Sequence, residues 1–270
     1  MHGSDTGKAH YDALGVLYDG ENDGDLQDLP FWSALASRAG GPILELACGS
    51  ARVLSGLLDP SWAPIVGLDA SPVLLSRARA RLSAHDIGGP MLERGTLRLA
   101  EGDMRSFDLP VEGGYSLVVI ALNSFLHLTE PADQLACLRQ VARHLKPGGL
   151  LAMEVFNPEM KERHPGVHGM ELVADFVHPE TGERVQRFSN VTTDLAAQKR
   201  RYVNLYDVLG ADGTVKRAVR EFTLRYSYRY ELERLLEQAG LALETVYGGY
   251  DFEPYTGRED AMLVVATRPP

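Results

Sequence analysis

The stretch Ile43-Leu44-Glu45-Leu46-Ala47-Cys48-Gly49-Ser50-Ala51-Arg52-Val53 decides the fold. It opens with an apolar run interrupted by one carboxylate, turns on small residues and leaves into Val53-Leu54-Ser55-Gly56-Leu57-Leu58. That is the pattern of a buried strand, a tight loop and a helix. Ala47, Gly49, Ser50 and Ala51 put little side chain in the way of a ligand pressing on the backbone. The helix that follows points unpaired N–H groups into the same space. A carboxylate at the mouth repels phosphate and suits a cationic or hydroxyl-rich ligand. The loop lacks the Gly-Lys-Ser/Thr ending of a phosphate loop, and its small residues do not follow the G-x-G-x-x-G dinucleotide spacing.

Outward from this loop the chain alternates apolar strands and helices. A helix over 31–39 precedes it, with Trp32, Leu35 and Ala36 on one face. A second strand, 64–69, ends in Asp69; Ala70-Ser71-Pro72 then starts a helix reaching about residue 85, with Ser71 placed to cap it. Arg77, Arg79 and Arg81 read as its solvated face. A third strand, 96–100, leads to Glu101-Gly102-Asp103-Met104. A fourth, 115–121, leads to Leu122-Asn123-Ser124-Phe125-Leu126-His127. A helix over about 132–145 and a fifth strand over 150–156 follow. Continuous apolar strands alternating with helices predict a doubly wound, mostly parallel α/β sheet covered on both faces. From 157 to about 228 the period changes to two. Segments 201–208 and 215–227, joined at Gly210-Ala211-Asp212-Gly213, read as an antiparallel hairpin with Tyr202, Tyr206, Phe222, Leu224 and Tyr226 on its faces. A helix over 228–239 and strands over 241–247 and 261–267 bring the large sheet to seven strands. The expected organisation is one domain over 1–270, with an N-terminal lid segment (1–30) and an inserted antiparallel β lid or subdomain (157–228).

Composition limits the functional classes. The 270 residues are 44% hydrophobic and 24% charged, with a net charge of −10. That acidity argues against a general nucleic-acid binder. There is no apolar run long enough to span a membrane and no secretion signal at the N-terminus. The two cysteines, Cys48 and Cys137, fit a reduced cytoplasm, and no zinc-type spacing appears. Cys48 reads as a small loop residue.

With E-x-A-x-G-x-A after the first strand, an acidic end to the second, Gly102-Asp103-Met104 after the third and Leu145-Lys146-Pro147-Gly148-Gly149 before the fifth, the chain resembles the class I S-adenosylmethionine-dependent methyltransferases. The match covers roughly 30–156, and the fold it implies is Rossmann-like. The segment Asn123–His127 is similar to that of bacterial glycine and sugar N-methyltransferases. The usual pattern has glycine where this chain has Ala47 and Ala51. The resemblance implies that Glu45 lies near the amino group of the cofactor's methionine part, with Ala47 and Gly49 giving the backbone close approach. It implies that Asp69 accepts the ribose hydroxyls, that Ala70 flanks the adenine, and that Asp103 and Met104 meet its amino group and ring nitrogen. Leu122 and Asn123 would face the reacting methyl. Tyr11, Tyr18 and Trp32 would close over the cofactor, and His127 would face the acceptor as base or orienting group. The expected activity is methyl transfer to N or O of a small-molecule acceptor in the cytoplasm, with no metal, nucleic acid or membrane, and with a homodimer admitted. Two rivals are weighed: a nicotinamide-dependent oxidoreductase, which shares the fold class but lacks the loop, and a non-catalytic S-adenosylmethionine-binding protein. Titration with S-adenosylmethionine against NAD separates the first, and methyl transfer to an acceptor library the second.

Overall fold

The computed structural model describes residues 15–159 and 169–270. Its centre is a seven-stranded sheet. In chain order the strands are β1 (Ile43–Leu46), β2 (Ile65–Asp69), β3 (Leu97–Glu101), β4 (Tyr115–Ile120), β5 (Leu145–Phe156), then β10 (Ala242–Tyr247) and β11 (Ala261–Thr267). The spatial order is β10-β11-β5-β4-β1-β2-β3; only β11 runs antiparallel to its neighbours. Between β5 and β10 the chain forms a second, antiparallel sheet, β6 (Glu171–Val177), β7 (Arg184–Asp194), β8 (Lys199–Leu209) and β9 (Val215–Arg225), in sequential order. The α/β class and the seven strands are as expected; the antiparallel segment holds four strands where the sequence pattern resolved two.

Strand alternation sends side chains to two separate cores. On one face Leu44, Leu46, Val118, Ile120, Leu151 and Met153 pack beneath α6 (Pro131–His144) and α7 (Arg229–Ala239), with Cys137, Leu138, Leu232 and Leu236. On the other, Ile43, Leu117, Val119 and Ala152 pack beneath α2 (Leu29–Ala39), α3 (Arg52–Ser55), α4 (Pro72–Ser83) and α5 (Gly88–Glu93). The helix read as running to residue 85 ends at Ser83, and α5 follows as a separate short helix. Ser71 caps α4 as its sequence suggests, its hydroxyl accepting from the Leu74 N–H at 3.1 Å.

One helix departs from the sequence pattern. The charged, Gly-rich run from Gly20 to Leu29 reads as a loop, yet the helix Val16–Asn22 (α1) extends into it. It bridges the two sheets. On one side Asp19, buried, pairs with Arg77 at 2.6 Å and Arg81 at 3.4 Å. On the other, Glu21 pairs with Arg187 of β7 at 2.9 Å and accepts from the Tyr206 hydroxyl at 3.1 Å. Leu17 and Tyr18 pack on Val185 and Tyr206 beneath the small sheet. Arg77 and Arg81 are therefore anchors for α1 and not a solvated face; Arg77 is additionally held by Glu180 at 3.0 Å. Tyr11, and the rest of the expected lid before residue 15, lie outside the described residues.

Candidate active site

The carboxyl ends of β1, β2, β4 and β5 meet at one edge of the large sheet, where open α/β folds take their ligands. The loop after β1 turns through three left-handed residues, Ala47 (φ 55°), Gly49 (φ 55°) and Ala51 (φ 65°). Alanine at such angles costs of the order of 1 kcal/mol, strain that collects at functional sites. A Cβ on Gly49 would come within 3.5 Å of the Tyr18 ring, so α1 lies directly on this loop.

Asp69 fastens the loop. One carboxylate oxygen accepts the Gly49 N–H at 2.7 Å, the other the Ser71 N–H at 2.8 Å. The side chain joins the ends of two strands. Ala70 stands half-buried at the same edge.

Glu45 is 3% exposed and one of its oxygens, Oε2, has no hydrogen-bond partner. Burial pushes its carboxyl well above the usual range; Arg52 opposes this, and Asp69 and Asp28 reinforce it. Beside it, Arg52 and Asp28 form a bidentate pair at 2.7 Å for both bonds, with side chains only 6% and 4% exposed. The Trp32 indole donates to the same carboxylate at 2.9 Å. Trp32 is itself fully buried, edge-on to Phe31. It therefore supports the loop from within the core and does not close over a ligand as the resemblance implied. Cys48 is buried, and its thiol is pushed far up by burial and by Glu45 and Asp69, consistent with a packing role.

The loop after β4 mirrors the first. Leu122 (φ 50°) and Asn123 (φ 61°) are both left-handed. The Leu122 N–H donates to Glu154 Oε2 at 3.0 Å, and Glu154 Oε1 accepts from the Tyr250 hydroxyl at 3.0 Å. The Asn123 side-chain oxygen accepts the Phe156 N–H at 2.6 Å. Asn123 thus braces the loop against β5. His127 ends the short 3₁₀ turn Ser124–His127, its ring 5.5 Å from Phe222 of the small sheet. Phe222 stacks on Tyr202 at 4.8 Å and 4°. His127 therefore stands between the sheet edge and the aromatic face of the small sheet.

After β3, Asp103 is engaged by Arg105 through Nε at 3.0 Å and Nη2 at 2.5 Å, and Arg105 also reaches Asp133 at 3.0 Å. Burial raises the Asp103 carboxyl, but the Arg105 hydrogen bonds outweigh it and hold it below its ordinary value. Met104 is half-buried against the core. A ligand contact at Asp103 has to share the carboxylate with Arg105, which the sequence reading did not foresee. Glu154 was equally missed, though a lone carboxylate inside the apolar run 150–156 was its signal.

A doubly wound sheet with a small-residue loop, a carboxylate on each of β1 and β2 and a second sheet over the edge defines a nucleotide-cofactor α/β enzyme. The comparisons name it. Residues 43–149 match a family described as a methyltransferase domain. The cypemycin N-terminal methyltransferase of a Streptomyces species is 30% identical over 229 residues, 85% of this chain and 84% of that protein. The S-adenosylmethionine-bound amino pentose methyltransferase CalS10 of Micromonospora echinaspora superposes with a TM-score of 0.69 at 26% identity, covering 95% of this chain and 96% of that one. The CcbJ methyltransferase of Streptomyces caelestis superposes with a TM-score of 0.78 at 23% identity over 97% and 98%. The chain belongs to the S-adenosylmethionine-dependent methyltransferases, and S-adenosylmethionine is its methyl donor. Among the described residues no helix is long and apolar enough to cross a membrane.

Proposed function

We propose that the enzyme methylates an amine nitrogen of a small-molecule acceptor, with His127 as the group that takes or orients the acceptor's proton. The observation that carries this is the position of His127, on the turn after β4 and against Phe222. Two relatives, an N-terminal and an amino pentose methyltransferase, support nitrogen. We further take the described part of the N-terminal segment, residues 15–30, as a lid, 157–228 as an inserted subdomain of one domain, and the cytoplasm, away from nucleic acid, as the working compartment.

The residues fit the donor. The unpartnered oxygen of Glu45 suits an ammonium, and the carboxylate of Asp69 suits a pair of hydroxyl donors. Ala47, Gly49 and Ala51 leave the backbone open, and Tyr18 covers the loop. Ala70, Asp103, Met104 and Leu122 complete the donor's surroundings. S-adenosylmethionine supplies an electrophilic methyl on a sulfonium. The protein's task is to hold the acceptor nitrogen in line, exclude water and remove a proton. Glu154 serves by fixing the Leu122 backbone, and Asn123 by bracing the loop on β5.

Replacing the base tests the reading. General base catalysis contributes about 10²–10⁴-fold. His127→Ala should lower turnover by about tenfold or more while the dissociation constant for S-adenosylhomocysteine stays within about twofold of the parent. His127→Gln should keep more activity if the role is orientation. Parent rates in both variants would reduce His127 to a packing partner of Phe222.

Glu45 gives a second test through linkage. Its folded pKa is raised, so the folded state holds a proton that the unfolded chain has released. Stability without donor therefore falls as pH rises from the ordinary carboxylate value toward the raised one. Glu45→Gln should flatten that fall in the range above the ordinary carboxylate value and also weaken donor binding. The assignment is wrong if melting curves of parent and variant stay parallel across that range and donor affinity is unchanged.

A further inference from the structure

Alternation along β8 puts Arg200, Tyr202, Asn204 and Tyr206 on one face of the small sheet. Tyr206 packs there on Leu17 and Tyr18 of α1, so this is the face turned toward the rest of the molecule. Arg200 is 2% exposed and Asn204 1%. A guanidinium cannot shed its charge, so burial demands a counter-charge or dense hydrogen bonding.

Two other arginines of the small sheet have carboxylate partners. Arg187 has Glu21 at 2.9 Å, and Arg217, on the opposite face, has Asp207 at 2.6 Å. Arg200 has no carboxylate within ion-pair distance among the described residues, and its Nε has no hydrogen-bond partner. Its Nη2 reaches the Pro158 carbonyl only at 3.5 Å. Its guanidinium carbon lies 4.9 Å from the Phe156 ring centre and 5.4 Å from that of Tyr226. Cation–π contacts and a polar contact with the Tyr202 hydroxyl offset part of the desolvation and leave Nε for another acceptor. Four residues on, along the same face, Asn204 Oδ1 is also buried without a partner.

Arg200 is coupled to the reacting edge by two routes. Phe156, under the guanidinium, gives its backbone N–H to Asn123 in the loop that leads to His127. Tyr202, next on the same face, stacks on Phe222, which touches His127. We propose that Arg200 is the anion-binding group of the acceptor site: the acceptor carries, besides its amine, a carboxylate or phosphate that lies in the plane of this guanidinium, while Asn204 accepts a hydrogen bond from the same molecule. This rests on the reading of methyl transfer to an amine.

The test uses paired amines with the full-length protein saturated in S-adenosylhomocysteine for binding, and in S-adenosylmethionine for turnover. The pairs are glucosamine 6-phosphate with glucosamine, and alanine with alaninamide. The parent should bind the charged member of one pair about tenfold or more tightly than the neutral one, and the pair that responds distinguishes phosphate from carboxylate. Arg200→Met should abolish that preference, the loss falling on binding and KM more than on kcat, and Arg200→Lys should restore part of it. Equal binding of charged and neutral members by the parent, or a preference that survives Arg200→Met, overturns the proposal. So does failure of both variants to bind S-adenosylhomocysteine, which would make Arg200 a core residue. Charged amines that bind through Arg200 yet receive no methyl group would instead refute the amine-acceptor reading and leave the anion site standing.

Discussion

Asp28→Ala is expected to destabilise the enzyme by about 3–5 kcal/mol, as removing one partner of a buried ion pair does. The substitution strands Arg52, which makes both of its carboxylate bonds to Asp28, and leaves the Trp32 N–H in the core without its acceptor. Arg52 also donates to the Asp25 carbonyl at 2.8 Å, so the segment entering α2 loosens with it. Denaturant unfolding of the variant measures the loss. The double replacement Asp28→Leu, Arg52→Met should recover much of it, because an apolar pair of similar volume removes the stranded charge. A loss below about 1 kcal/mol, the range of exposed pairs, would mean that solvent reaches Arg52 and that the buried description is wrong.

The second large effect is on ligand affinity. Asp69→Ala should raise the dissociation constant for S-adenosylmethionine by tenfold or more, corresponding to about 2–4 kcal/mol for lost charge-assisted hydrogen bonds. Part of that is direct and part comes through the loop, since the Gly49 N–H loses its acceptor. Asp69→Asn separates the two: its single carbonyl oxygen can keep one backbone bond but not both. Calorimetric titration gives the answer. An unchanged constant for a folded Asp69→Ala would show that this carboxylate only ties β1 to β2.

The large sheet was legible because its strands are buried on both faces and read as unbroken apolar runs. Burial of all of β1, β2 and β4 is the physical source of that signal. The loop at 47–51 was legible because only small residues tolerate its left-handed turns. What escaped depends on partners distant in sequence. α1 has seven residues and little apolar surface; Arg77 and Arg81 hold it from some sixty positions away, and no local pattern records that. Arg81 and Arg105 look alike in sequence, but one anchors a helix and the other occupies Asp103. Trp32 was read as an aromatic cover because its type suits one, whereas Asp28 four residues earlier fixes it inside. Arg200 sits in a basic run that reads as solvated; its burial follows from the meeting of β8 with the end of β5, which periodicity alone cannot give.

The strand order also governs how the molecule is assembled. β11 is flanked by β5 and β10, and it pairs with β5 from Ala261 opposite Phe156 to Thr267 opposite Leu150. Those partners are separated by more than a hundred residues, most of them in the small sheet, α7 and β10. During synthesis β5 therefore waits with an open, apolar hydrogen-bonding edge while the entire small sheet is made, and long-range pairings of this kind form slowly. The edge-on hairpins β6–β9, contiguous in sequence, can zip before it closes. Because its pairings are local in sequence, the small sheet is expected to form ahead of the β5–β11 pair that closes the large one.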